Sequence, residues 1–301
     1  MGSEAVFMMI EQFLNYLRYE RNASLLTVQK YEEALREFES YIIHKDSSLS
    51  MDQADTDLIR DWMESLMDKG NSASTINKKL SALRSFYRYA LKRRLVSRDP
   101  AHPVTGPKKA KVLPQFVREG EMNRLLDDVE WGNTFKEVRA RTILLILYEA
   151  GLRRSELVGL DDGDVDLARR QLKVTGKRNK QRIVPFGEEL ATELQRYLAA
   201  RQQQYADFAG GAFFLNDKGR RVTGDQVYRT VRQHLSAVTT LKKRSPHVLR
   251  HTFATAMLNN GAGLESIKDL LGHESVATTE IYTHTTFEQL KRVYKEAHPR
   301  A

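Results

Sequence analysis

The stretch RDPAHPVTGPKKAKVLP, from Arg98 to Pro114, holds four of the seven prolines in the chain. Each proline removes a backbone donor and pushes the residue before it away from helical geometry, so no helix runs through this stretch. One glycine and three lysines complete what reads as an extended, basic connector. It divides 301 residues into two units, in keeping with about 100–200 residues per domain. The boundaries drawn from it are 1–106 for a first domain, 107–114 for the linker and 115–301 for a second domain.

Composition narrows the class. Hydrophobic residues make up 41% and charged residues 29%, the balance of a chain that buries a core. Cysteine is absent, which excludes disulfides, thiol nucleophiles and cysteine-held zinc or iron–sulfur sites. The longest strong apolar run, Ile143 to Tyr148, falls far short of the roughly 18 residues of a membrane span. The N-terminus, MGSEAVFMMIEQF, carries acids where a secretory leader carries bases. A cytoplasmic chain without membrane contact is expected. The net charge of +9 and pI near 9.5 favour a polyanionic partner, nucleic acid before membrane.

Outward from the connector, the N-terminal side reads as all-helical. Phe7, Ile10, Phe13, Leu14 and Leu17 recur at three- and four-residue spacing. Val28, Tyr31, Leu35, Phe38 and Ile42 form a second pattern after Ser24 and Thr27. Asp55 or Thr56 can cap a third, with Leu58, Trp62 and Leu66. A fourth opens between Asn71 and Ser74 and carries Ile76, Leu80, Leu83, Tyr87 and Ala90 on one face. Lys69 to Arg98 contains nine basic residues and no acidic one. Lys78, Arg88 and Lys92 stripe that fourth helix away from its apolar face, with Arg84 nearby, a surface suited to phosphates or a major groove.

The C-terminal side mixes elements. Arg118 to Val129 reads as a helix, and Arg139 to Glu149 as a strongly apolar one. Asp164–Leu167, Gln171–Thr175 and Arg182–Pro185 read as short strands, with Gly176, Lys177, Arg178 and Asn179 as turn residues between the last two. Glu188 to Tyr205 is helical, Thr223 or Asp225 can cap another helix, and the segment from His247 onward is helical with glycine breaks. The fold class is mainly α with a small antiparallel β-sheet.

No G-x-x-x-x-G-K-[ST], no strand–GxGxxG–helix, no HExxH and no carboxylate cluster for two metals is present. No metal and no cofactor are expected. The residues that could do chemistry lie in separate motifs. HVLRH places His247 and Arg250 three apart, on one side of a helix start where backbone N–H groups add positive potential. LGH brings His273, and nine residues later comes Tyr282. GLRRSEL carries Arg153 at a helix turn, and Lys177 falls at a hairpin tip. Singly, each has an ordinary structural role: Tyr282 as a core tyrosine, His247 as a cap, His273 packed in a turn, Arg153 paired with Glu156 or Glu149, Lys177 in solvent.

In order, GLRRSELVGL, TGKRNKQRIVPFG, SPHVLRHTFAT, LLGHESVATTEIYTH and the ending AHPRA make the chain resemble the tyrosine site-specific recombinases, and within them the bacterial XerC/XerD group, with the ending nearer the XerC type. The resemblance spans nearly the whole chain and implies an N-terminal helical, SAM-like DNA-clamping domain and a C-terminal catalytic domain. It implies Tyr282 as nucleophile, Arg153 and Arg250 on the scissile phosphate, Lys177 as general acid, and His247 and His273 completing the group, with Glu156 orienting from behind. Ala256 departs from a histidine often found after HTFAT and lies outside that set. For DNA contact the candidates are Lys78, Arg84, Arg88, Lys92, Arg220, Arg221, Gln226, Arg229, Lys242 and Lys243.

The chemistry is consistent with the residue types. Attack on a phosphodiester builds negative charge that two guanidiniums meet with charge-assisted bonds. A tyrosine hydroxyl of pKa about 10 needs dense positive charge or a base to react near neutrality. A 3′-phosphotyrosine keeps the diester bond, so religation needs no ATP. The resemblance further implies double-stranded DNA with a specific site, a tetramer on two duplexes that is homomeric or shared with a paralogous Xer recombinase, and a septal DNA translocase as a further partner. It implies a role in resolving chromosome or plasmid dimers. It also implies that the tail from Phe287, with Leu290 and Val293 or Tyr294 on its apolar side, docks on a neighbouring protomer. The alternatives are a mobile-element integrase, a type IB topoisomerase-like nicking and closing activity, and a DNA-binding architectural protein without catalysis.

Overall fold

A computed structural model describes residues 3–109, 115–176, 179–206, 208, 210–272 and 284–301. The chain forms two compact units, Met1–Val112 and Leu113–Ala301.

The first unit is helical: α1 (Ser3–Asn15), α2 (Leu25–Lys45), α3 (Thr56–Asp68) and α4 (Ala73–Lys92). Capping sets the starts. Ser24, Asp55 and Ser72 accept from the backbone N–H three residues on, using donors that the first turn leaves unpaired. The apolar stripes meet in a core of Phe13, Phe38, Trp62, Phe86 and Tyr87, whose hydroxyl donates to the Met51 carbonyl at 2.8 Å. Between α1 and α2 the chain widens into a π-helical turn, Tyr16–Glu20.

Arg98–Pro107 of this stretch is tied to the first unit. Ala101 and Val104 are buried in this core. Thr56 donates to the Pro100 carbonyl, Arg84 to those of Ala101 and Val104, and Asn77 to that of Pro107. Proline-rich backbone keeps its acceptors, and side chains of α3 and α4 supply the donors that prolines lack.

The second unit is built around α6 (Phe135–Glu149), buried from Val138 through Glu149. Around it lie α5 (Glu119–Asn123), α7 (Arg154–Gly159), α8 (Glu188–Gln204), α9 (Gly224–Val238), α10 (Pro246–Asn259), α11 (Leu264–Leu271) and α12 (His284–Ala297). The expected helix over Arg118–Val129 is present, as α5 followed directly by a π-helical turn, Arg124–Asp128, which buries Leu125 and Leu126. The sheet is three-stranded and antiparallel in the order β1 (Val165–Asp166), β2 (Gln171–Thr175), β3 (Gln181–Pro185), with Leu172 opposite Val184 and Thr175 opposite Gln181. Among the described residues no helix is long and apolar enough to cross a membrane.

The C-terminal segment packs on its own domain in the single chain. Its apolar side is used within its own domain: Leu290, Tyr294 and Ala297 are buried against Phe253, Met257 and Leu270. His298 packs between Tyr148, Phe253 and Tyr294. Arg300 pairs with Asp127 and Glu189. The observed packing follows from the apolar groove that α10 and α11 leave open.

Candidate active site

The centre of the site is one carboxylate. Glu156 lies in the first turn of α7 and is almost fully buried. Its Oε2 accepts the Arg153 backbone N–H at 2.8 Å, an end-of-helix donor that would otherwise go unpaired. Its Oε1 accepts from the Arg153 guanidinium at 2.6 Å. Arg182, from β3, grips both oxygens, Nη1 to Oε1 at 3.0 Å and Nη2 to Oε2 at 2.9 Å. Arg250, from α10, stands 3.8 Å from Oε2. Burial by itself would raise the Glu156 carboxyl, but hydrogen bonding and charge from Arg182, then Arg153, override it and bring the pKa to about 2.

The same three arginines hold the end of α11. Arg182 Nε donates to the Leu270 carbonyl at 2.8 Å, Arg250 Nη2 to that of Leu271 at 2.5 Å, and Arg153 Nη2 to that of Gly272 at 3.0 Å. These are the carbonyls a helix C-terminus leaves without partners, at the negative end of its dipole. Gly272 ends the helix in the left-handed region, φ +62°, which glycine adopts without strain. Arg250 Nη1 also donates to the Gly151 carbonyl at 2.7 Å. Burial first, and the charge of Arg153 second, lower the Arg250 pKa to about 10, so it stays cationic at neutrality.

The three arginines differ in exposure. Arg153 keeps 34% of its side chain in solvent, whereas Arg182 and Arg250 keep 7% and 8%. His247 follows Pro246 at the start of α10 and is open to solvent on one side. Packing on its other side, then the positive charges of His251, Arg154, Arg250 and Arg153, lower its pKa below 6.5. Both effects favour the neutral imidazole, the form able to accept a proton. The structure brings together Arg153, Glu156, His247 and Arg250 from the sequence-predicted set. Lys177, His273 and Tyr282 lie outside the described residues. The hairpin that brackets Lys177 is closed by Gly176 N–H donating to the Lys180 carbonyl at 2.7 Å.

Sequence reasoning missed Arg182. The signal was there in the alternation of β3: Arg182 and Val184 share the buried face, and an arginine on a core face needs a partner.

The DNA-contact candidates divide. Lys78, Arg88 and Lys92 lie exposed along α4, with no ion-pair partner among the described residues. Arg84 is half-buried and turned to the Ala101 and Val104 carbonyls. Arg220, Arg229, Lys242 and Lys243 are exposed. Arg221 clasps the carbonyls of Val158 and Leu160 and the Asp161 carboxylate. Gln226 closes the capping box of α9 with Thr223. Arg84, Arg221 and Gln226 therefore have internal work that a charge pattern does not reveal.

Comparison with known proteins bears on this geometry. Residues 115–289 match the profile of the phage integrase family, and residues 10–94 that of the phage integrase N-terminal SAM-like domain. A tyrosine recombinase XerC of Chlorobaculum tepidum is 39% identical over 96% of this chain and 94% of its own length. One from Pelotomaculum thermopropionicum is 37% identical over 98% and 99%. A tyrosine recombinase XerD of Oceanobacillus iheyensis is 34% identical over 97% and 98%. Among solved structures, the XerH site-specific recombinase bound to palindromic difH substrate, a post-cleavage complex, superposes with a TM-score of 0.71 at 22% identity, covering 97% of this chain and 88% of that one. That likeness speaks for the fold.

Proposed function

The chain belongs to the phage integrase family, as a Xer-type tyrosine recombinase that binds DNA and cuts and rejoins it at specific sites, and from this premise we propose how its residues perform the reaction. The observation that carries the reading is the convergence of Arg153 and Arg250 on Glu156, with His247 beside them. Arg153 and Arg250 bind the non-bridging oxygens of the scissile phosphate and meet the charge that develops during attack. Tyr282 supplies the nucleophile, and its hydroxyl proton passes to a neighbouring base, His247 or His273. Lys177 protonates the 5′-oxygen as it leaves. The product is a 3′-phosphotyrosine with a free 5′-hydroxyl, and reversal on a new strand completes the exchange.

Lys78, Arg88 and Lys92 on α4, and Arg220, Arg229, Lys242 and Lys243 on the second unit, supply phosphate contacts. Four protomers on two duplexes carry the full reaction, alone or with a paralogous Xer recombinase, in the cytoplasm and under the control of a septal DNA translocase. The role we propose is resolution of chromosome or plasmid dimers, with integration of a mobile element by the same chemistry as the alternative.

A nicked suicide duplex carrying a candidate dimer-resolution site tests this. Incubation in EDTA without ATP yields a covalent protein–DNA band on a denaturing gel, lost in Tyr282→Phe. A duplex that is bound but never joined to the protein, with the paralogue present, refutes the mechanism.

A further inference from the structure

Arg182 is the arginine of the cluster whose Nε, Nη1 and Nη2 are all engaged within the protein: its side chain is 7% exposed, spent on both oxygens of Glu156 and on the end of α11. A buried guanidinium is costly unless every donor is used. Here Nη1 and Nη2 lie side by side on the two Glu156 oxygens and Nε donates to the Leu270 carbonyl. This fork is the geometry in which an arginine holds a carboxylate most rigidly.

The consequence concerns Arg250. It stands 3.8 Å from Glu156 Oε2, beyond a hydrogen bond, and gives its own donors to the carbonyls of Gly151 and Leu271. With Arg182 absent, Glu156 stays tied to Arg153 through Oε1, but Oε2 keeps only the Arg153 backbone N–H. The cation left nearest to Oε2 without a hydrogen bond to the carboxylate is Arg250, and Oε2 can close on it. A close Glu156–Arg250 pair would neutralise a guanidinium needed by the phosphate. The end of α11 would lose one of its three arginine tethers in the same step.

We infer that Arg182 is a positioning residue for strand cleavage: it holds Glu156 off Arg250 and fixes the end of α11, so that Arg153 and Arg250 meet one phosphate with their charge intact. This role rests on the strand-cleavage reading above. It concerns a strand residue whose Nε, Nη1 and Nη2 are all engaged within the protein.

The test uses the full-length protein and the nicked suicide duplex, with DNA affinity, thermal unfolding and the rate of covalent-complex formation at saturating protein. Arg182→Met binds the duplex as the parent does but forms the covalent complex about 100-fold more slowly, the scale of loss from small misplacements of reacting groups. Arg182→Lys keeps the charge without the fork and is about tenfold slower. The double variant Arg182→Met with Glu156→Gln carries no carboxylate to capture Arg250 and recovers much of the rate lost by Arg182→Met alone. A purely structural role would make the double variant worse, not better. Should Arg182→Met not fold, Arg182→Lys decides: cleavage at the parental rate overturns the proposal. So does a double variant as slow as the single one. Absence of a covalent complex from the parent protein overturns the strand-cleavage reading itself, and this role with it; a loss confined to the Arg182 variants does not touch that reading.

Discussion

Glu149 ends α6 fully buried beneath the C-terminal segment, and replacing it with glutamine should change how stability depends on pH. Its side-chain oxygens reach no hydrogen-bond partner, although the Tyr294 hydroxyl and the Gly187 amide face it. Burial first, and the charge of Glu189 second, raise its pKa from 4.5 to about 8, against the opposing pull of Arg300. An acid raised in the folded state stabilises fully below its unfolded pKa and loses that contribution as pH rises through the folded value. His298, buried over Tyr148, is lowered from 6.5 to about 4, chiefly by burial, so its contribution is present above 6.5 and lost as pH falls through 4. The two slopes oppose between pH 4.5 and 6.5. From 6.5 to 8 only Glu149 acts, and at about 1.4 kcal/mol per pH unit the second unit should lose about 2 kcal/mol. For a domain of this size that is roughly 4–8 °C in Tm. Thermal unfolding followed by circular dichroism from pH 5 to 8.5 checks this. The parent's Tm should fall above pH 6.5, whereas Glu149→Gln should hold level to pH 8. An equal fall in the variant would refute the argument that Glu149 folds uncharged.

Four further outcomes follow from the packing and the surface charges. Gly187→Ala should loosen the C-terminal segment, because a Cβ there meets the Arg300 carbonyl and the Ala301 backbone; limited proteolysis should then cut after Tyr294 far sooner than in the parent. Arg88→Ala with Lys92→Ala should weaken binding to any duplex and lower the slope of log affinity against log salt by about two, with Tm unchanged. Arg84→Ala should do the opposite, costing about 1–3 kcal/mol of stability for two stranded carbonyls, with a smaller change in salt slope. Gln226→Ala should cost about 0.5–1.5 kcal/mol through the lost acceptor of the Thr223 N–H, measured by urea unfolding, with the salt slope of DNA binding intact.

Much of the fold was legible because its signals are local. Helix starts at Asp55 and Ser72 follow from one side chain meeting an unpaired N–H, and the strands from alternation beside turn residues. The π-helical turns at Tyr16–Glu20 and Arg124–Asp128 were not, since a fifth residue inserted into a turn leaves the apolar spacing nearly unchanged. In the site, Arg153, His247 and Arg250 announce themselves by motif. Arg182 hides in a strand, and its meaning depends on Glu156, 26 residues earlier in the chain, and on Leu270, 88 residues later. Charge misled for a related reason: Arg84 and Arg221 count as basic whether they face water or a carbonyl. The placement of the tail on its own domain depends on a groove between α10 and α11, which a sequence does not display.

The cluster around Glu156 can also be weighed as a charge count. Three guanidiniums and one carboxylate leave two net positive charges at one spot. A phosphodiester arrives with a single negative charge and leaves one of them unanswered. The five-coordinate arrangement passed on the way to the covalent intermediate carries two, and answers both. Under the proposed mechanism these four groups, counted apart from Lys177 and the histidines, therefore suit the charge of DNA in mid-reaction better than at rest, the difference that makes binding accelerate a reaction instead of merely holding its substrate.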